Sequence, residues 1–122
     1  MRRALAVLTL ILCSSSLVAC GDSDTPADGG TDAGTKTIDI TIEGDTVTPN
    51  GDRVDVGVDQ KIELVVKADA AGEIHVHSDP EQEFEYEGTG EAETFELQID
   101  RPGQVDIESH TLDQLIVKLT VQ

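Results

Sequence analysis

Aromatic side chains are almost absent from this sequence. Its 122 residues include two Phe, one Tyr and no Trp. Proteins that bind unpaired bases stack them on exposed aromatic rings, so a chain this poor in rings does not offer such a platform. All three rings lie where apolar and polar residues alternate, which predicts that Phe84, Tyr86 and Phe95 belong to the core.

Positive charge is also scarce. The chain has eight Lys and Arg against 25 Asp and Glu, and its formal net charge is −17 at pH 7. A surface this acidic repels the phosphates of nucleic acids and the head groups of anionic lipids. Nucleic acid is therefore not an expected partner. The simplest interpretation of the charge is that it keeps the domain soluble and free of aggregation.

Long apolar stretches are missing except near the N-terminus, where Arg2 and Arg3 precede residues 4–12, ALAVLTLIL. A helix that spans a bilayer needs about 20 apolar residues, so this stretch is too short to be one. Positive charge, a short apolar segment and then small residues are typical of a secretory signal peptide. We predict that residues 1–19 are a signal peptide and that the folded part lies on the extracytoplasmic side of the membrane.

Cysteine occurs only twice, at Cys13 and Cys20. Residues 17–20, LVAC, resemble the lipobox of bacterial lipoproteins, in which the signal is cut before the cysteine and the cysteine is acylated. The resemblance implies cleavage between Ala19 and Cys20 and a lipid on Cys20 that holds the chain to the membrane of the cell envelope. The alternative is an ordinary secretory signal that leaves Cys20 free. Either way the folded part has no disulfide, so its stability must come from a packed core.

Residues 20–35 begin with Cys20 and continue as GDSDTPADGGTDAGT, which contains no Ile, Leu, Val or aromatic residue. Such a composition cannot bury enough apolar surface to offset the entropy lost on ordering. We therefore predict a disordered linker over residues 20–35, followed by one folded domain over residues 36–122.

The predicted domain alternates apolar and polar residues almost throughout, which is the pattern of half-buried strands. Clear examples are 38–42, 62–66, 105–107 and 115–121. Turn sequences such as Asn50-Gly51 and Pro102-Gly103 separate the stretches, and no segment has a helical period. This pattern predicts an all-β fold, a two-sheet antiparallel sandwich of about seven or eight strands.

Residues 37–122 resemble the cupredoxin-like domains of bacterial envelope lipoproteins. The resemblance rests on EIHVH at 73–77, on the Pro102-Gly103 turn before the penultimate strand, and on a last strand that ends the chain. It implies a Greek-key β-sandwich. Members that carry type 1 copper use two His, one Cys thiolate and usually an axial Met. Here Met1 is the only Met, and the stretch after the Pro-Gly turn, GQVDIESH, keeps His110 without a cysteine. We therefore expect a domain without type 1 copper.

A different metal site is open to the histidines. His75 and His77 lie two apart on one predicted strand and so point the same way. In a cupredoxin arrangement their strand is next to the one before His110, which would gather three imidazoles on one face. Such a set suits Cu(II) or Zn(II). The alternative is that His75, His77 and His110 are solvated residues of a polar face, because all three take the polar parity.

Catalytic signals are weak. Outside the signal peptide and linker the only serines are Ser78 and Ser109, and neither lies in a nucleophile elbow. No phosphate-binding loop or dinucleotide motif is present. The sequence thus predicts a lipid-anchored, non-enzymatic binding or structural module of the cell envelope, monomeric and without a cofactor, whose envelope partner the sequence does not name. The alternative is an envelope protein that binds Cu(II) or Zn(II) through His75, His77 and His110.

Overall fold

The computed structural model describes residues 34–122. These residues form nine strands and no helix, and so they contain no helix that could cross a bilayer. The predicted signal peptide, Cys20 and nearly all of the predicted linker lie outside these residues. The strands are β1 (Lys36–Glu43), β2 (Thr46–Thr48), β3 (Asp52–Val56), β4 (Ile62–Ala68), β5 (Gly72–Val76), β6 (Gln82–Tyr86), β7 (Ala92–Leu97), β8 (Gly103–Ser109) and β9 (Gln114–Val121).

The strands form two sheets, a four-stranded one in the order β2-β1-β4-β7 and a five-stranded one in the order β3-β9-β8-β5-β6. Apolar side chains alternate along each strand, as in β4, where Ile62, Leu64 and Val66 are buried at 0%, 0% and 1% exposure. These side chains meet between the sheets and build one core. The predicted all-β, two-sheet sandwich is therefore confirmed.

Two details of the topology differ from the sequence-based expectation. There are nine strands, because the short β2 contributes only Val47 to the core and β3 adds only Val56 as a fully buried residue, too few to give a periodic signal. The sheets are mixed, since β1 pairs with β4 and β3 pairs with β9 in parallel. Parallel neighbours arise because the chain crosses to the other sheet before it returns. The alternation of apolar and polar residues within a strand carries no information on the direction in which that strand runs.

The aromatic residues are distributed between the centre and the edge of the core. Tyr86 is buried at 3% exposure, as predicted. Phe84 and Phe95 are only partly buried, so their assignment to the core needs correction. They lie on β6 and β7, the edge strands of the two sheets, where fewer neighbours cover a side chain. Their ring centroids are 5.4 Å apart, which closes one side of the sandwich.

A register shift in the β8–β9 hairpin breaks the alternation predicted for residues 115–121. Ile107 pairs with Val117, whereas the next residue, Glu108, pairs with Leu115. The extra residue, Ile116, is fully buried beside Val117, and Leu115 is only partly buried. Bulges of this kind bend a strand and re-aim the side chains beyond them.

The sandwich has two distinct ends. At the first, called the leading end, β1 starts beside the start of β4, with Lys36 paired to Ile62. The Gln60 side-chain amide there donates to the carbonyl of Gly34 at 2.7 Å. At the second, called the opposite end, β4 finishes at Ala68 and the chain turns into β5. The turn between β8 and β9, residues 110–113, also lies at the opposite end, because His110 bonds to the start of β5.

Candidate metal centre

Strand β5 separates its residues cleanly between two faces. Ile74 and Val76 point into the core and are 0% and 1% exposed. Glu73 and His75 alternate with them and point outward, and His77, the first residue after β5, continues the alternation. The shared direction predicted for the two histidines is therefore found. It places them on the outer surface of the five-stranded sheet.

The adjacency of β5 and β8 is also found, with Ile74 opposite Ser109 and His75 opposite Glu108. Beyond the last strand residue, the backbone N–H of His110 donates to the carbonyl of Glu73 at 2.9 Å. The N–H of Glu73 in turn donates to Oγ1 of Thr111 at 3.1 Å. These two hydrogen bonds hold the β8–β9 turn against the start of β5, and they fix His110 beside Glu73.

Three potential ligands converge at this point. Glu73, His75 and His110 each offer one ligand atom, and the three atoms lie within 4.8 Å of one another. The rings of His75 and His110 have their centroids 4.8 Å apart and are tilted by 31°. One Glu73 carboxylate oxygen lies 3.6 Å from Nε2 of His75. This set of side chains is called the Glu73 cluster below.

His75 is the most sheltered member of the Glu73 cluster, with a side chain that is 17% exposed. Its Nε2 is 2.6 Å from a carboxylate oxygen of Glu83, which lies directly across from it on β6. A hydrogen bond of this kind fixes the orientation of an imidazole ring and the position of its proton. The ring of His75 is thus held in place from the β6 side.

His77 belongs to a different group. Its Nε2 is 3.1 Å from a Glu108 carboxylate oxygen, and its Nδ1 is 3.5 Å from Glu81. The hydrogen bond to Glu108 raises the pKa of His77, and Glu81 adds to the rise, although partial desolvation opposes it. The His75 and His77 rings meet edge to face at 5.6 Å. The structure therefore brings His75 and His110 together and leaves His77 outside the cluster.

Glu73 takes the place that the sequence-based set gave to His77. Its parity shows that it shares a face with the histidines, but parity does not show which neighbour lies across the sheet. The pairing of Glu73 with His110 depends on where the β8–β9 turn begins, and the sequence does not specify that position. Asp79, which has the same parity, is ion-paired with Arg101 and lies beyond the end of β5.

The ligands of type 1 copper do not fit this domain. Such a site needs a cysteine thiolate together with two imidazoles. Both cysteines and the only methionine precede residue 34. Where β5 and β8 meet, the inward side chains are those of Ile74 and Ser109, each 0% exposed, and the Ser109 hydroxyl has no hydrogen-bond partner. A hydroxyl and an alkyl group cannot replace a thiolate and an imidazole.

Comparison of the sequence with known protein families and with curated proteins found no match. Comparison of the structure with solved structures found similar folds. Auracyanin from the photosynthetic bacterium Roseiflexus castenholzii, in its dithionite-reduced form, is 14% identical, with a TM-score of 0.53 over 71% of this chain and 97% of that one. An amicyanin variant in its Cu(I) form is 14% identical, with a TM-score of 0.51 over 73% of this chain and 83% of that one. The described domain therefore has a cupredoxin-like fold.

Proposed function

We propose that this chain is a lipid-anchored protein of the cell envelope whose cupredoxin-like domain acts without type 1 copper, as a non-enzymatic binding or structural module. Shared fold does not imply shared function, so the proposal rests on the residues themselves. The observation that carries it is the pair Ile74 and Ser109, which closes the interior where β5 and β8 meet. Electron transfer of the blue-copper type needs a cysteine thiolate beside two imidazoles, and residues 34–122 contain no cysteine.

The absence of a nucleophile–base pair in the described residues supports a non-enzymatic role. Ser78 Oγ donates to the carbonyl of Pro80 at 2.7 Å and accepts from the Gln82 amide at 3.2 Å. Ser109 is buried with its hydroxyl unpaired. Within residues 34–122, then, neither serine is hydrogen-bonded to a histidine that could act as its base.

Anchoring is proposed from the lipobox-like residues 17–20 and tested at Cys20. Cys20→Ser removes the acylation site, and an acidic chain has no basic patch to hold it on anionic lipid. The variant should be released from membranes or accumulate as the uncut precursor, and immunoblots of cell fractions would detect either result. A Cys20→Ser chain that is cut normally and stays with the membranes after a salt wash would contradict the anchor.

The absence of type 1 copper is tested on the parent protein. When copper is added to protein extracted from membranes of the parent strain, the visible absorption of thiolate-bound copper should be absent.

A second candidate function, binding of Zn(II) or Cu(II) at the envelope surface, is favoured by one observation. The Glu73 cluster places two imidazoles and a carboxylate close enough to share an ion. The competing interpretation is that these are solvated residues of the polar face. His110 is exposed and His75 already has a hydrogen-bond partner in Glu83, so both interpretations agree with the same geometry.

A further inference from the structure

We propose that Glu73, His75 and His110 form an open, exchangeable site for a divalent transition-metal ion, represented by Zn(II), and that His77 is not one of its ligands. This inference rests on the second candidate function and specifies it: it names the ligand set, leaves one coordination position free, and places the ion at the opposite end of the sandwich.

The geometry of the cluster is close to what one ion requires. Ligand atoms about 2.0–2.1 Å from a tetrahedral Zn(II) ion lie about 3.3 Å from one another. The Glu73 oxygen and His75 Nε2 are already 3.6 Å apart. All three ligand atoms lie within 4.8 Å, so rotation of the side chains, above all that of exposed His110, can close the remaining distance. No movement of the backbone is required.

The donor set selects the kind of ion. Two imidazoles with one carboxylate suit Zn(II) and Cu(II), whereas Ca(II) and Mg(II) prefer oxygen ligands. Three protein ligands leave a tetrahedral ion with one free position, which is the arrangement of sites that keep a bound water rather than of closed structural sites. The cluster therefore suits an ion that can be loaded, exchanged or shared with another ligand.

The backbone already holds the cluster together. The bonds from His110 to Glu73 and from Glu73 to Thr111 fix two ligand-bearing segments at 2.9 and 3.1 Å. Glu83 holds the third, the His75 ring, through its hydrogen bond at 2.6 Å. Glu83 contacts the same Nε2 that faces Glu73, so an ion bound at Nε2 replaces this hydrogen bond. The bonds between His110, Glu73 and Thr111 leave these two ligand-bearing segments little freedom to lose when an ion binds.

The position of the cluster gives it an orientation relative to the chain start. Strand β4 runs from the leading end at Ile62 to the opposite end at Ala68, and β5 starts just beyond it. At about 3.3 Å per residue the cluster lies about 15–20 Å from the leading end along the strands. The cluster thus lies at the end of the sandwich away from Gly34, where the described residues begin.

The test is calorimetric titration of Zn(II) into the chain from residue 21 onward, which contains every strand and the whole described core but no cysteine. Titration in about 0.5 M salt removes diffuse attraction to the acidic surface. We expect one ion per chain. Removing a residue that merely orients a ligand costs about 10–100-fold in affinity, so His110→Ala, which removes a ligand, should cost at least as much.

His77→Ala is the matched control, because it removes an exposed histidine from the same sheet face, 5.6 Å from the His75 ring by centroids. Its affinity should stay within about threefold of the parent, a change smaller than the loss of even an orienting partner. Glu73→Gln, which keeps the size of the side chain, should weaken binding as His110→Ala does. Zn(II) should also raise the melting temperature of the parent and of His77→Ala by mass action, but not that of His110→Ala.

Two results would overturn the inference in different ways. Salt-resistant binding lost in His77→Ala and kept in His110→Ala would leave the metal-binding function standing and show that the ligand set is wrong. An absence of salt-resistant binding in the parent would remove the second candidate function and the inference together. Neither result affects the proposed anchor, which Cys20→Ser tests, or the absence of type 1 copper, which the visible absorption of the extracted parent protein tests.

Discussion

The two faces of β5 carry opposite chemistry within five residues. The inner face presents Ile74 and Val76, which are fully buried against the core. The outer face presents Glu73 and His75, which are half-buried, and exposed His77 follows just beyond the strand; both histidines contact carboxylates. The imidazole of His75 therefore lies on the outer face of the five-stranded sheet, away from the core.

The contrast indicates that stability and ligand binding are separable in this domain. Substitutions on the inner face remove packing and should alter the free energy of unfolding, because the interior is close-packed. Substitutions on the outer face remove solvated groups and should alter ion binding or pH response instead. A surface site on a packed core can lose its ion without unfolding the domain, unlike small domains whose folding depends on their metal.

The largest expected effect comes from cutting the inner face. Ile74→Ala should lower the free energy of unfolding by about 3 kcal/mol, because Ile74 is 0% exposed and the deletion leaves a cavity. That loss is a large part of the total free energy of unfolding, which is about 5–10 kcal/mol for a domain of this size. His75→Ala, one residue away on the outer face, should cost less than about 1 kcal/mol. Urea unfolding of both variants measures the difference, and equal losses would show that the faces are not separable.

The alternation of β4, with Ile62, Leu64 and Val66 inward, was sufficient to predict strands, faces and a sandwich, because burial imposes a period of two. Strand β2 was not predictable, since three residues with one buried Val47 form no pattern. Nor was the parallel pairing of β1 with β4, which depends on how the chain crosses between sheets. Local patterns thus predict elements, whereas pairing follows from the whole core.

The candidate site divides in the same way. Parity predicted that His75 and His110 lie outside the core, and the resemblance to cupredoxin-like domains brought their strands together. The choice of Glu73 over His77 as their neighbour depends on the register of β5 against β8, which places Ile74 opposite Ser109, and on where the following turn begins. A shift of one residue changes which side chains meet across a sheet, and no feature of the sequence marks it.

A smaller effect should follow from substitution of Ser109, the one polar side chain among the buried residues of β8. Its hydroxyl is buried without a hydrogen-bond partner, which costs about 1–3 kcal/mol before packing is considered. Ser109→Ala removes the hydroxyl and little volume, so the free energy of unfolding should rise by about 1 kcal/mol in urea titrations. Ser78→Ala is the control, because Ser78 has two hydrogen-bond partners and should lose stability instead. A drop in stability for Ser109→Ala would reveal a partner for its hydroxyl.

The smallest expected effect concerns His77 on the outer face, whose pKa is raised by its hydrogen bond to Glu108. Because the pKa is higher in the folded chain, the pair stabilises the fold fully below the unfolded value near 6.5. This contribution is lost as the pH rises through the folded pKa. The His77 side chain is 39% exposed, so solvent screening limits the contribution to less than about 0.5 kcal/mol.

His77→Gln should therefore flatten the pH dependence of stability slightly between about pH 6 and pH 8. Urea midpoints of the parent and the variant across this range measure the change. Glu108→Gln should flatten the curve in the same way, because it removes the main cause of the raised pKa. A parent curve that rises more steeply with pH than that of His77→Gln would mean that the histidine is held neutral in the folded chain, and the ion pair to Glu108 would then not form in solution.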